Sequence, residues 1–343
     1  MSDGRQLRLI VPGLLGPLPR VANPERLPRL PALEVILGRG RMTALSVRTS
    51  SPVLIQSQFV AAPSQCLPAG PVAALGDGIE AGEGYWFCAD PVHLHADLDR
   101  LTLMSEPDLI TSPDEAASFI AELNEFLRDD GMRLEYGAPT RWYLHCVEAP
   151  NLTTTPTIEV KGHSVGDSLP SGPDAGRWAR LQSELQMLLH SSAANRERTS
   201  RGLVPVNALW LWGGGRLADA KAEPYWTDVL TDDPLAGGWA RLAAATVRGA
   251  ATGFENVGQR VLGVDCRLDD VVAGGDVYRA WQGLERLEAE WFAPALAALQ
   301  AGEFDSLELQ TGSVRCSLRR SDRWRVWRRL KPLHETMEEQ GRL

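Results

Sequence analysis

The hydrophobic positions of the chain follow two periods in separate stretches. Gln6 to Val11 alternates and then runs apolar, which predicts a buried strand ended by Pro12-Gly13. After a Pro-rich stretch reaching Pro31, Ala32 to Leu37 reads as a short helix stopped by Gly38 and Gly40. Residues 50 to 80, rich in Pro, Ala and Gly, show neither period. Tyr85 to Leu94 predicts a strand. A helix follows: Thr111 or Ser112 can cap it, Pro113 suits its first turn, and Asp114 and Glu115 favour its positive end. Ala116, Phe119, Ile120, Leu123 and Leu127 recur at helical spacing before Gly131. Met132 to Tyr136 and Arg141 to Val147 read as two strands, 151 to 172 as a long polar loop, and Asp174 to His190 as an amphipathic helix.

Beyond a polar stretch ending at Gly202, Pro205 to Trp212 predicts a buried strand closed by Gly213-Gly214-Gly215. Arg241 to Ala251 reads as helix, Arg260 to Val264 as strand and Val277 to Gln300 as one long helix. Ser306 to Gln310 and Ser313 to Leu318 pair around Thr311-Gly312. Strand-helix-strand alternation at both ends predicts an α/β fold with a mainly parallel sheet flanked by helices, and the middle reads as α+β. No repeat of fixed period is present.

Composition narrows the setting. The 343 residues are 44% hydrophobic, enough for a substantial core and, by length, roughly two domains. A net charge of −9 disfavours a general nucleic-acid role, which needs excess Lys and Arg. Arg315, Arg319, Arg320, Arg323, Arg325, Arg328, Arg329 and Lys331 make a local exception: a basic stripe for phosphate or acidic protein, or a solvated face. Cys66, Cys88, Cys146, Cys266 and Cys316 form no CxxC pair, which predicts reduced, mostly buried thiols rather than disulfides or zinc. The N-terminus resembles neither a signal peptide nor a membrane span, and no later segment has about 18 uninterrupted apolar residues. A cytoplasmic location without membrane partners is the expectation.

Leu181 to Gly215 carries a family resemblance. Asn195, Arg198, Gly202, Asn207, Trp210, Trp212, Gly213 and Gly215 stand where archaeal-type cofactor-independent phosphoglycerate mutases place a His-Pro-Val-Asn-like turn, then an Arg, a Gly, an Asn and a strand reading roughly Ile-Trp-Leu-Trp-Gly-x-Gly. The family His falls at Ser192 or His190, depending on register. Thr155-Pro156 to Gly162 with Leu169-Pro170 is similar to its Pro-Pro-His-Asp loop, Thr111 to Tyr143 to its capped helix and following strands, and Phe87 to Val92 to its Arg-Cys-Asn-Leu-Val strand. The nearest likeness is a bacterial branch described as RpfE-type regulatory or phosphoglycerate mutase-like, through Ala89 to Leu94, Glu184 to Met187 and Trp327-Arg328-Arg329. The resemblance implies an alkaline phosphatase-like core, 1–80 with 205–343, and an inserted α+β domain, 81–204.

It also implies a two-metal phosphoryl-transfer site needing about six carboxylate and imidazole ligands. The first Asp of that set falls here near Pro12-Gly13, and proline has no side-chain donor. After residue 200 the only histidine is His334, and Ser306 to Arg320 lacks an Asp/His motif. The expectation is no metal, no cofactor and no catalytic residue: a degenerate, regulatory or ligand-binding protein. The alternative is an active phosphomutase or phosphohydrolase with a rearranged site.

The candidate ligand surface is Arg141, Trp142, His163, Asn195, Arg198, Asn207, Trp210, Gly213 and Gly215, with Arg198 gripping a small anion in bidentate fashion. The bland reading is that Asn195, Asn207 and Arg198 tie a turn to the strand below it. Arg325, Trp327, Arg328 and Arg329 are the candidate protein-partner surface. His93-x-His95 beside Asp90 and Asp97 is a metal pair or a polar loop after a strand. The three glycines are a phosphate cradle or a tight strand exit. Cys88 and Cys146 lack an activating base.

Overall fold

The computed structural model describes residues 4–16, 28–45, 49–61, 67–97, 100–105, 109–325 and 327–339. Cys66, most of the early Pro-rich stretch and the side chain of Arg323 lie outside the described residues. In chain order the elements begin with β1 (Gln6–Ile10), α1 (Pro31–Arg39), β2 (Arg41–Ala44) and α2 (Ser51–Gln56). Then come α3 (Ala69–Gly76), β3 (Tyr85–Asp97), β4 (Arg100–Met104), α4 (Pro113–Leu127), β5 (Met132–Ala138), β6 (Arg141–Cys146), α5 (Thr157–Val160), α6 (Ala175–Ser191), α7 (Ala193–Ser200) and β7 (Ala208–Gly215). The remainder forms β8 (Asp228–Thr231), α8 (Pro234–Leu242), β9 (Thr246–Arg248), β10 (Arg260–Val264), α9 (Arg267–Ala273), α10 (Val277–Leu287), α11 (Ala293–Ala301), β11 (Ser306–Gln310), β12 (Val314–Arg319) and α12 (Leu333–Glu339). Among the described residues no helix is long and apolar enough to cross a membrane.

The chain makes two compact units, Met1–Ala61 with Ala222–Leu343, and Ala62–Lys221. The first is an α/β unit built on a seven-stranded sheet of order β2-β12-β11-β1-β10-β8-β9. The run β11-β1-β10-β8-β9 is parallel; β12 and β2 add antiparallel strands. Leu7, Leu9, Val261, Leu307 and Leu309 bury one sheet face against Leu33 and Ile36 of α1 and against Trp291, Phe292 and Ala295.

The helix expected over Val277 to Gln300 is present with one irregularity, a wide π turn at Glu288–Phe292 between α10 and α11. Pro294 supplies a reason: it has no N–H, and its ring displaces the carbonyl of Glu290, four residues back. A wide turn absorbs both effects. The turn carries Glu288, whose carboxylate accepts the free N–H groups of Ala32 (2.6 Å) and Leu33 (3.1 Å) at the start of α1.

One expectation is corrected in this unit. Arg241 to Ala251 is not one helix, because α8 starts earlier, at Pro234, capped by Asp233, and ends at Leu242. Ala244 then takes a positive φ of 56°, and the chain turns into edge strand β9, where Arg248 donates to Asp228 at 3.0 Å.

The second unit is an antiparallel sheet, β4-β3-β6-β5, with β7 also paired to β3. Helices α4 and α6 cover it through Phe119, Leu123, Trp178 and Leu185, which pack on Phe87, Trp142, Leu144, Leu209 and Leu211. The expected cap of α4 is a full capping box: Ser112 Oγ accepts from the Glu115 N–H at 3.2 Å, and Glu115 accepts from the Ser112 N–H at 2.8 Å. The polar stretch before Gly202 holds a further helix, α7, capped by Ser192.

The strand expected over Pro205 to Trp212 runs on through all three glycines and belongs to this sheet, not to the parallel one. The expected division at 80/81 and 204/205 thus differs from the compact units, which take α3 and β7 together. The glycines explain the association. A Cβ on Gly213 would lie 2.5 Å from the Ala69 Cβ, and one on Gly215 2.6 Å from the Pro68 Cβ. Bare backbone at these positions lets α3 rest against the strand. Gly213 also has φ +64°, so Gly213→Ala meets both strain and a clash. It should destabilise the chain by about 1–3 kcal/mol or more, read as a lower urea midpoint at unchanged slope.

Candidate functional site

The residues expected to form a ligand surface lie in the second unit, and most spend their polar groups internally. Arg198, 2% exposed, donates through Nε (3.0 Å) and Nη2 (2.8 Å) to the Val204 carbonyl. Its Nη1 donates to the Ile110 carbonyl at 3.0 Å and to Glu115 at 2.7 Å. The same carboxylate caps α4, so a single acid joins α4 to α7. Asn195 donates to the carbonyls of Leu189 and Val206, both at 2.6 Å, and accepts the Val206 N–H at 2.9 Å. Asn207 extends β7 against β3 by accepting the Leu94 N–H and donating to its carbonyl.

The remaining candidates divide in the same way. Trp142 is fully buried, meets the Phe119 ring at a tilt of 38° and donates its indole N–H to the Pro139 carbonyl at 3.1 Å. Trp210 donates to Thr155 at 2.8 Å from inside a small cluster with Val92 and Val160. Arg141 makes a two-pronged contact with Asp77, 2.7 Å on each arm, and Tyr143 donates to the same acid at 2.6 Å. Burial first, then Cys88 and Asp77, raise the Tyr143 hydroxyl well above its usual range. Only His163 is on the surface, its ring beside the Lys161 carbonyl at 3.1 Å. The bidentate anion grip expected of Arg198 is therefore corrected: its donors hold a turn. Gly213 and Gly215 serve helix packing, and the phosphate cradle has no support from their surroundings.

A second location is the carboxyl edge of the parallel sheet in the first unit, where the family's first Asp was expected near Pro12-Gly13; Asp265 and Arg267 were not singled out there by the sequence. Open α/β sheets gather ligands there. β1 leaves the sheet through Pro12-Gly13, and Gly13 (φ +77°) presses so closely on α9 that a Cβ would lie 2.8 Å from the Asp269 Cα. Asp233 caps α8, and Asp232 accepts the Ala250 N–H at 3.2 Å. Asp265, directly after β10, is 5% exposed and fully engaged. It accepts the Arg267 N–H (3.0 Å), the Arg267 guanidinium through Nε and Nη2 (3.0 and 2.5 Å) and the Trp291 indole N–H (2.9 Å). Arg267 Nη2 also reaches Glu290 at 2.5 Å, and these acids, Asp265 first, raise the Arg267 pKa. Next to this pair, desolvation and then Asp233, Asp269, Asp270 and Asp265 push the Cys266 thiol well above its usual range, the opposite of an activated nucleophile. The signal that marked this place was an acid directly after the apolar run Val261 to Val264, followed two residues later by an arginine.

Comparison with known proteins gives the lineage. No family model matches the chain. A stretch of 154 residues is 31% identical to 2,3-bisphosphoglycerate-independent phosphoglycerate mutase 2 of Methanothermobacter thermautotrophicus, covering 43% of this chain and 36% of that protein. A stretch of 97 residues is 33% identical to the 2,3-bisphosphoglycerate-independent phosphoglycerate mutase of Methanothrix thermoacetophila, covering 28% and 25%. A third, of 65 residues, is 35% identical to a probable mutase of the same description from Geobacter sulfurreducens, covering 19% and 16%. The chain is related to the cofactor-independent phosphoglycerate mutases. The matched stretches span between 16% and 36% of these relatives' own lengths. The PH0037 protein from Pyrococcus horikoshii shares the fold, with a TM-score of 0.55 at 13% identity over 92% of this chain and 87% of that one.

For a mutase relative, the edge just described poses a test of fit. Two catalytic cations need converging anionic donors. Among the described residues no group of three or more His, Cys, Asp or Glu side chains is placed to hold a metal ion. His93 and His95 stack 6.3 Å apart, and His93 meets the Pro205 carbonyl at 2.8 Å. The donor set at the edge does not fit a cation pair, and no chemical step is derived through one.

The C-terminal stripe is partly committed as well. Arg325 donates to the Arg39 carbonyl (3.1 Å) and pairs with Asp322 (2.8 Å), while Arg328 donates to the Gly40 carbonyl (3.0 Å). Both satisfy carbonyls at the C-terminus of α1, where cations are favoured. Trp327 is 76% exposed, and Arg329 is also exposed.

The internal role of Arg198 has a measurable consequence. Arg198→Ala leaves Glu115 and the Val204 carbonyl without their partner, and should cost about 3–5 kcal/mol in urea unfolding. An unchanged midpoint would instead mean a guanidinium held for a ligand.

Proposed function

We propose that this chain is a degenerate phosphoglycerate mutase-like protein that acts by binding, as a regulatory or ligand-binding protein of the RpfE-type kind, rather than by phosphoryl transfer. Its core would be of the alkaline phosphatase type. One observation carries the reading: at the carboxyl edge of the parallel sheet, the Arg267 guanidinium fills the place on Asp265 that a cation would need. Phosphoryl transfer in this class depends on cations that neutralise the transferring group and activate the nucleophile. A guanidinium can neutralise charge but cannot polarise a hydroxyl or water as a metal does. Proline at position 12 supports the same conclusion, because its side chain offers no ligand.

The thiols fit a reducing, cytoplasmic setting. Cys88, Cys146, Cys266 and Cys316 are thiols, and burial pushes Cys146 and Cys316 up to about 12.

The test is turnover. Interconversion of 2- and 3-phosphoglycerate, and hydrolysis of p-nitrophenyl phosphate, should stay at the buffer rate with and without Mn²⁺ or Mg²⁺. Metal-dependent turnover that disappears in Asp265→Asn would establish the rival reading, an active phosphomutase or phosphohydrolase with a rearranged site.

A further inference from the structure

In the β1, β11, β12 and β2 part of the parallel-sheet unit the two sheet faces differ in character. Leu7, Leu9, Leu307, Leu309, Cys316 and Leu318 enter the core. Strand alternation sends the intervening residues to the opposite face. The register then lines up Arg8, Glu308, Ser317 and Arg41 in one row, with Ser306 and Arg319 in the next and Arg315 on the other side. Between these rows lies a groove of about 200 Å³, lined by Arg8, Trp226, Ser306, Glu308, Ser317 and Arg319 among others.

Charge on this face is unbalanced. Among the strand residues whose register places them on this face, Arg8, Arg41, Arg315 and Arg319 stand with a single acid, Glu308; Arg8 and Arg319 line the groove, and Arg41 and Arg315 stand beside it. Arg8 (2.7 Å) and Arg315 (3.4 Å) share that acid. The remaining surplus is basic in a chain of net charge −9. Arg8 is held rigidly: Nη1 donates to Gln58 at 2.8 Å and its guanidinium lies over the Trp226 ring at 5.1 Å. Burial, with a smaller contribution from Arg315, lowers its pKa against the opposing pull of Glu308. Arg319 and Arg41 are exposed and Arg315 is half-exposed.

We propose that this groove binds a small phosphate-bearing molecule, with Arg319, Arg315 and Arg41 supplying charge, the Ser306 and Ser317 hydroxyls supplying hydrogen bonds, and the Arg8–Glu308 pair forming the floor. Guanidinium forks match phosphate oxygens in geometry as well as in charge. The volume is below the usual range for drug-sized ligands, about 300–1,000 Å³, which fits a phosphate on a short carbon skeleton. The site requires neither catalysis nor a metal, and so stands apart from the preceding proposal.

Inorganic phosphate is the probe, titrated calorimetrically and by thermal melting against sodium chloride of equal ionic strength, with EDTA present. The native chain should show saturable heat and a phosphate-dependent rise in Tm. Arg41→Gln/Arg319→Gln should bind at least roughly tenfold more weakly, and Arg286→Gln, exposed on α10 outside the groove, should bind as the native chain does. Should the double variant fail to fold, Ser317→Ala, which leaves every charge in place, should weaken binding in the same direction. No phosphate-specific response, or a response that the groove variants retain, overturns the proposal.

Discussion

The contact on which the rest of this account depends is the ion pair between Asp265 and Arg267. It is local in sequence, two residues apart, and it sits where the parallel sheet delivers its chain ends. The long C-terminal helix holds it from the other side. The π turn at Glu288–Phe292 brings Glu290 to Arg267 and Trp291 to Asp265, while Glu288 caps α1. One irregular turn thus ties the sheet edge, the long helix and the first helix together. A buried carboxylate is tolerable only when it is paired and hydrogen-bonded, and Asp265 meets both conditions without a metal.

The inserted unit follows the same economy. Its most conspicuous polar residues, Arg198, Asn195 and Asn207, satisfy carbonyls and N–H groups exposed by turns. Backbone polar groups removed from water need partners, and a chain that supplies them from side chains can carry long turns inside a compact unit.

Elements with a clean period were legible in the sequence. β1, β3, α4, β5, β6, α6, β10 and the β11–β12 hairpin lie where the alternation and the capping signals place them. What escaped has identifiable causes. α7 has eight residues, two alanines and six polar residues, with no apolar stripe, and α3 is made mostly of small residues that read as loop. β7 was found but assigned to the wrong sheet, because its pairing with β3 is a contact across more than a hundred residues. The same distance hid the partners of Arg198: Ile110 and Glu115 lie more than eighty residues away. The sequence identified these residues as special but could not say what they touch. Asp265 and Arg267 were in plain view as neighbours, and only the strand preceding them gives them meaning.

The basic groove on the opposite sheet face relocates the search for a ligand. The guanidinium expected to face an anion at Arg198 is engaged internally, whereas Arg41 and Arg319 are exposed and Arg315 shares Glu308 with Arg8. The central claim, however, concerns the sheet edge. A crystal structure of the native chain soaked in Mn²⁺, with anomalous scattering recorded, tests it most directly. The account predicts no manganese peak at the carboxyl edge and the Arg267 guanidinium still seated on Asp265. A peak within coordination distance of Asp265, with Arg267 turned away, would contradict it.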